Sequence, residues 1–300
     1  MNRLSDNLRG ALFMTAAMLA FLSNDSFMKA MSDQLPLLQA ITVRGLGTTV
    51  LLLILTGFTG GLRLDLSRRD WALVGLRTVT EAAAAYFFIA ALFHMPIANA
   101  TAILQALPLA VTLAGALFLR EPVGWRRLAA IVIGFAGVLL IVQPGPEGFN
   151  VYAIHALISV AAVTVRDLAT RRLSPGVPSM TVAVVTAAGV TAFAGLGSLG
   201  QGWVAMDGGL ALQMCGAVGF VILGYLFSIR TMRTGEIAFV APFRYTSLLF
   251  SLIAGILVFG EWPTATMLAG SAVVVATGLF TLYRETRVKR PDPAAALRVR

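Results

Sequence analysis

From Ile97 to Val142 the chain reads IANATAILQALPLAVTLAGALFLREPVGWRRLAAIVIGFAGVLLIV. Two apolar runs flank a short charged break, Arg120-Glu121-Pro122. A helix that crosses a bilayer needs ~20 mostly apolar residues. Each run is long enough, and the break reads as the hairpin between two antiparallel spans.

The same design returns 140 positions later, from Ile237 onward. Without a gap, Ile97 meets Ile237, Ala98 meets Ala238 and Leu109 meets Leu249. Ala114-Gly115 meets Ala254-Gly255, Leu117 meets Leu257 and Glu121 meets Glu261. Gly137 meets Gly278 after one inserted residue. Membrane helices share a small alphabet, so chance similarity is the competing explanation. The co-registered Ala-Gly pair and glutamate favour an internal duplication.

Of 300 residues, 58% are hydrophobic and only 12% are charged. Soluble domains carry about 25% charged residues, and so little polar surface cannot cover a body in water. The bilayer is the solvent this chain suits. The lone cysteine, Cys215, excludes an intrachain disulfide framework. A net charge of +9 raises the question of nucleic acid, which the distribution of that charge answers.

Ten spans are expected: 9–30, 35–57, 72–93, 97–119, 126–143, 150–171, 180–200, 210–230, 236–258 and 265–283. Short connections punctuated by Gly or Pro separate them, with no room for a separate soluble domain. The basic residues gather on alternate connections: Arg3 and Arg9, then Arg63, Arg68 and Arg69, then Arg120, Arg126 and Arg127. Arg171 and Arg172, Arg230 and Arg233, and a tail with Arg284, Arg287, Lys289, Arg290, Arg298 and Arg300 follow. Only Lys29 lies near the other side. Lys and Arg are retained on the cytoplasmic face, so both termini are expected in the cytoplasm and no nucleic-acid partner is needed. The first span is too long for a signal-peptide core and no small-residue cleavage site follows it, so it reads as a retained anchor.

Ten spans divide into five plus five. An odd number per half brings the second copy in from the opposite side. The expected fold class is therefore an all-α membrane protein of two inverted five-helix repeats, residues 1–143 and 150–283, with a cytoplasmic basic tail at 284–300. Inverted repeats are a transporter architecture, with the substrate held near the midplane between the halves and exposed alternately as they rock. The cavity would be formed by spans one, three, four, six, eight and nine.

Charges inside spans cost about 2.5–3.5 kcal/mol each on insertion scales and usually face the bundle interior. Asp25 and Lys29 are one helical turn apart in the first span, as are Arg77 and Glu81 in the third. Two readings stay open for Asp25–Lys29: a local ion pair with Lys29 reaching water, or a gating or ion-coupling role. For Arg77–Glu81 the alternatives are an interior pair holding helices together and a place in the substrate site. Arg166, beside Asp167, is expected to reach the cytoplasmic interface. Arg44 and Arg244 have no acidic neighbour at helical spacing. At least one of them is expected to contact the substrate, because a guanidinium offers a fork of donors matched to carboxylate, phosphate or imide oxygens.

Polar positions add a face. Thr101, Gln105, Pro108 and Thr112 fall on one side of the fourth span, and Arg244, Ser247 and Ser251 on one side of the ninth. Gln105 and Tyr245 are equivalent in the two copies and are expected to face each other. Tyr86, Phe87 and Phe88 add aromatic area near Glu81, either as packing or as a platform for the substrate. Pro108 and Pro242 each remove a backbone hydrogen bond and invite a kink. The expected substrate-binding set is Arg44, Arg77, Glu81, Tyr86, Thr101, Gln105, Arg244, Tyr245 and Ser247, and the expected gating or ion-coupling set is Asp25, Lys29 and Glu81.

The hairpins resemble the drug/metabolite transporter superfamily in its EamA-domain group. The residues that carry this are Pro108, Leu119-Arg120-Glu121, Gly134 and Gly137, with Gly260-Glu261 and Gly278 in the second copy. The second copy departs from the pattern, with Trp262 after the glutamate and Pro242 instead of a proline matching Pro108. The resemblance implies a ten-helix carrier of small organic molecules, importing or exporting. Ser23-Asn24-Asp25-Ser26-Phe27-Met28-Lys29, Leu35-Pro36 and Arg44-Gly45 look like the branch of riboflavin and S-adenosylmethionine uptake carriers. Riboflavin uptake is the substrate this implies, with amino-acid or metabolite export as the alternative. The partners are then a small-molecule substrate, membrane lipid and a coupling proton or Na+. Facilitated diffusion without a coupling ion is equally open. A membrane-embedded enzyme would need a convergent catalytic set. His94 and His155 form no ligand spacing, so no enzyme, cofactor or metal is expected.

Overall fold

In lipid every backbone N–H and C=O must be satisfied within the segment, so apolar runs of this length fold as helices. The computed structural model describes residues 3–58, 61–121, 123–143, 150–234 and 236–288, and no strand occurs among them. The helices are α1 (Arg3–Ala30), α2 (Leu37–Phe58), α3 (Arg68–His94), α4 (Ile97–Leu104), α5 (Leu107–Leu119) and α6 (Trp125–Val142). Then come α7 (Val151–Arg171), α8 (Ser179–Gly197), α9 (Gly208–Thr234), α10 (Ile237–Val240), α11 (Thr246–Phe259) and α12 (Ala265–Val288). Ten segments among the described residues are long and apolar enough to cross a membrane, counting Ile97–Leu119 as one broken span and Ala241–Phe259 as another.

These spans match the expected ones within a few residues, with two differences of physical origin. The third begins at Arg68 because Ser67 caps it: its hydroxyl accepts the Asp70 N–H at 3.1 Å and donates to Asp70 Oδ2 at 2.7 Å. The last helix runs on to Val288, so the start of the expected tail is helical. Residues 289–300 and Pro122 lie outside the described residues.

Both proline-bearing spans break. Pro108 has no N–H to give, and a turn at Gln105–Ala106 separates α4 from α5. Pro242 sits in a 3₁₀ turn, Ala241–Tyr245, between α10 and α11. The breaks meet: Gln105 Nε2 donates to Ser247 Oγ at 2.9 Å and to the Arg244 carbonyl at 3.4 Å.

The two hairpin corners are built alike. The residue after α5, Arg120, and the residue after α11, Gly260, are both left-handed, with φ 56° and 65°. The next N–H then turns back, Glu121 to Gly115 O at 3.2 Å and Glu261 to Gly255 O at 2.8 Å. Between the repeats α6 lies close on α12. A Cβ at Gly137 would come within 2.9 Å of Val273 and 3.0 Å of the Gly270 carbonyl. Small residues permit this approach.

α1 begins and α12 ends on one face, which also holds Arg68, Arg69, Arg120, Arg126, Arg127, Arg171 and Arg172. Lys29, His94 and Glu261 lie at the opposite face. The two large apolar clusters both sit in the half toward the opposite face: Met28, Met31, Leu92, Ile97 and Met214 in one, Met95, Ile103, Ile141 and Met267 in the other. The arginine-rich half holds a cluster of Leu52, Val184 and Ile222.

Candidate functional site

Neither helical-turn pair forms as a pair. Lys29 does not bond Asp25. Its ammonium lies 3.0 Å from Glu261 Oε1 and donates to the carbonyls of Leu92 and Met95. Asp25 instead accepts from Asn24 Nδ2 at 2.9 Å and lies in the field of Arg44. Glu81 does not bond Arg77. Its Oε2 takes Arg166 Nη1 at 2.9 Å, and Arg166 also holds Asp167 at 2.7 Å. Arg166 therefore stays in the bundle instead of reaching the membrane interface, because two carboxylates are nearer than water. Arg77 donates to Thr170 across α3 and α7. Lys29, Glu81 and Arg77 thus each take a partner from another helix or corner in place of the residue one turn away.

The charges converge. Asp25 of α1 and Arg44 of α2 act on each other. The Tyr225 hydroxyl of α9 lies in the field of Glu81, Arg166, Arg44 and Arg77. Arg244, in the broken ninth span, lies in the field of Asp167 and Arg166. Charged side chains of five spans therefore act on one another or on the Tyr225 hydroxyl of a sixth, and the second span joins those expected. Glu81, Arg166 and Asp167 keep 22%, 24% and 32% of their side chains exposed, so the space among these groups is not a dry core. Among the described residues Arg44 and Arg244 have no ion-pair partner within 4.0 Å.

The remaining expected residues divide. Gln105 and Ser247 meet at the crossing of the broken spans. Gln105 does not face Tyr245, which is buried against α12, where a Cβ at Gly278 would strike its hydroxyl. Thr101 is buried in α4, and Tyr86 packs edge-to-face on Phe87 at 5.3 Å within the core toward the opposite face. Sequence reasoning missed Asp167 as a ligand of Arg166, and it missed Tyr225 and Glu261. Tyr225 is 42% exposed in mid-helix, and only the surrounding charges show that it looks into the bundle. Glu261 was visible as the repeat partner of Glu121, which was the available signal.

The opposite face is shut over this space. Glu261 Oε2 accepts the Ile97 N–H at 2.9 Å, and the Phe259 ring lies 5.6 Å from the Lys29 ammonium. At the arginine-rich end the Arg171–Glu121 pair is looser, 3.6 Å long and half exposed. A separate crevice of about 520 Å³ between α3, α5, α6 and α7 is walled by Leu76, Leu113, Phe118 and Leu168. Its lining is mostly apolar, with Thr164 and Arg172 among it, and neither Arg44 nor Arg244 takes part.

Residues 8–143 match the EamA-like transporter family. Over those residues the chain is similar to EamA-like transporters. Proteins similar to this chain include an S-adenosylmethionine uptake transporter of Rickettsia felis, 28% identical over 194 residues. That match covers 64% of this chain and 65% of the relative, just under two thirds of its length. A riboflavin transporter of Vibrio cholerae is 27% identical over 95% of this chain and 96% of its own. A pseudopaline exporter of Pseudomonas aeruginosa is 27% identical over 89% and 93%. A crystal structure with 18% identity superposes over 96% of this chain and all of its own at a TM-score of 0.65, which shows that the two share a fold. Ten helical segments among the described residues are long and apolar enough to cross a membrane, which suits a multi-pass membrane protein.

Proposed function

We propose that this chain is a secondary transporter of a small organic metabolite in a bacterial inner membrane, with both termini cytoplasmic. Its repeats are residues 1–143 and 150–283 and it works by alternating access. The observation that carries the reading is the pair of guanidiniums, Arg44 and Arg244, neither of which has a carboxylate within 4.0 Å among the described residues, although Asp25 and Asp167 act on them from further off. A cation so placed calls for an acceptor, and a substrate with carboxylate, phosphate or imide oxygens supplies one. Glu81, Arg77, Gln105, Ser247 and Tyr225 line or brace the space around these arginines, while Thr101, Tyr86 and Tyr245 shape the helices behind it. Asp25 and Glu81 are the candidate carriers of a coupling proton or Na+. Arginines on the face that holds the termini support the cytoplasmic orientation.

The substrate we favour is riboflavin or a similar heteroaromatic. The near full-length similarity to a riboflavin transporter supports it, and an imide edge suits an arginine fork. Export is the second reading, supported by the similarity to a pseudopaline exporter over 89% of the chain. A chemical step is no part of the proposal. His94 stacks on Tyr152 at 4.0 Å and His155 meets the same ring edge-on at 5.1 Å, which occupies both histidines in packing.

The test is growth of a riboflavin auxotroph at limiting riboflavin. Rescue by the intact protein, reduced by Arg44→Ala and Arg244→Ala, is the expected result. No rescue removes riboflavin as the substrate, and undiminished rescue by both variants removes the arginine contact.

A further inference from the structure

The two hairpin corners on opposite faces are in different states. At the corner after α11, Glu261 is engaged through both oxygens, one on Lys29 at 3.0 Å and one on the Ile97 N–H at 2.9 Å. Lys29 spends its other donors on the carbonyls of Leu92, at 3.1 Å, and Met95, at 2.7 Å. These side chains are 11% and 21% exposed. One ammonium and one carboxylate thus tie the end of α1 to the end of α3, the start of α4 and the corner after α11.

The corner after α5 carries the same parts. Glu121 follows an equivalent left-handed turn and its N–H returns to Gly115 as that of Glu261 returns to Gly255. The correspondence extends to the cation. Asp25 and Lys29 in α1 have the spacing of Asp167 and Arg171 in α7, 142 positions later. Arg171 lies 3.6 Å from Glu121 Oε1, with both side chains 49% exposed. It is the same pair, slack and wet.

We propose that Lys29–Glu261 and Arg171–Glu121 are two copies of one gate latch, made alternately in the transport cycle. The state seen here has the first latch made. In the other state Arg171–Glu121 tightens and takes the roles of its twin. Glu121 then caps the N–H of Ile237, the counterpart of Ile97, and Arg171 donates to the carbonyl at position 232, the counterpart of Leu92. Making both latches at once would seal Arg44 and Arg244 from water with no carboxylate in ion-pair contact with either, and a charge without a close partner in a closed space is strongly disfavoured. Double closure therefore requires an acceptor-bearing substrate between them, which is the condition for carrying cargo across without leak. The inference rests on the transporter reading above, but not on which molecule is carried.

The test needs no substrate. In a Cys215→Ser background, Met28→Cys reports on the shut half, since Met28 is fully buried next to Lys29. Ser228→Cys, one turn beyond Tyr225 toward the arginine-rich face, reports on the open half. A membrane-impermeant maleimide is applied to intact cells and to inverted vesicles. In the parent, the cysteine at 228 labels in vesicles and the one at 28 is protected. Glu261→Gln is expected to raise labelling at 28 in intact cells about tenfold and to lower labelling at 228. Adding Glu121→Gln to that variant is expected to restore protection at 28, and Lys29→Arg alone is expected to keep it. A merely loosened protein would not be rescued by a second lesion. The proposal is overturned if Glu121→Gln adds to the exposure caused by Glu261→Gln, or if each substitution alone exposes both reporters. Labelling with the two sides interchanged overturns the membrane orientation and leaves the latch standing.

Discussion

A buried or half-buried charge goes to the nearest opposite charge in space, and this decides the roles of Glu81 and Arg166. Their pair is 2.9 Å long and mostly shielded, and Asp167 shares the guanidinium. Removing the charge of Glu81 leaves Arg166 with one carboxylate, so Glu81→Gln should cost about 1–2 kcal/mol rather than the larger cost of orphaning a buried charge. Thermal unfolding in detergent checks this, and an unchanged melting temperature would show the pair to be energetically idle. Arg44 and Arg244 differ, having no carboxylate within 4.0 Å among the described residues. Arg244→Lys and Arg44→Lys keep the charge and lose the planar fork. If the fork contacts substrate, each should raise the apparent KM for uptake about tenfold or more while leaving the melting temperature nearly unchanged. Variants that shift the melting temperature and spare KM would place these arginines in the scaffold.

Elements are shaped here by their ends and breaks. The corners after α5 and α11 need the same left-handed residue, supplied by Arg120 in one and Gly260 in the other. A side chain in that conformation costs about 1–2 kcal/mol. Gly260→Val should therefore destabilise by at least about 1 kcal/mol, and Arg120→Gly should gain up to about 1 kcal/mol, both read as melting temperatures. Equal effects at the two corners would mean that the turn is not strained in either. Close contact of α6 and α12 imposes a harder limit. Gly137→Leu would drive a side chain into Val273 and the Gly270 carbonyl, and should cost more than about 2 kcal/mol or abolish folded protein in the membrane. The resulting yield of monodisperse protein in detergent is the readout.

At the scale of the molecule, the two corners must lie on opposite sides of the membrane if the repeats are inverted. Trp125 and Trp262 stand just past those corners and are 75% and 78% exposed. In a Cys215→Ser background, Trp125→Cys should label only from the cytoplasmic side and Trp262→Cys only from the other. Labelling from a common side would end the inverted arrangement. Helix count, the broken fourth and ninth spans and the EamA likeness were all legible in the sequence, because each is a local or periodic signal. Length of apolar run determines a span, Pro108 and Pro242 mark the breaks, and arginines mark a face. The partners of charges were not legible. Asp25–Lys29 and Arg77–Glu81 have the right spacing on paper, yet Lys29 goes to Glu261 and Glu81 to Arg166, residues 232 and 85 positions away. Tyr245 is the counterpart of Gln105 in the second copy, the ground for expecting the two to face each other, yet it is buried against Gly278 of α12. A chain of this composition determines by itself that it crosses the bilayer, how often, and where its helices bend, since these follow from transfer energies along the chain. Which charges meet, which aromatic rings face the shared space, and which end is shut depend on distances between helices. Those distances exist only once the ten spans have packed.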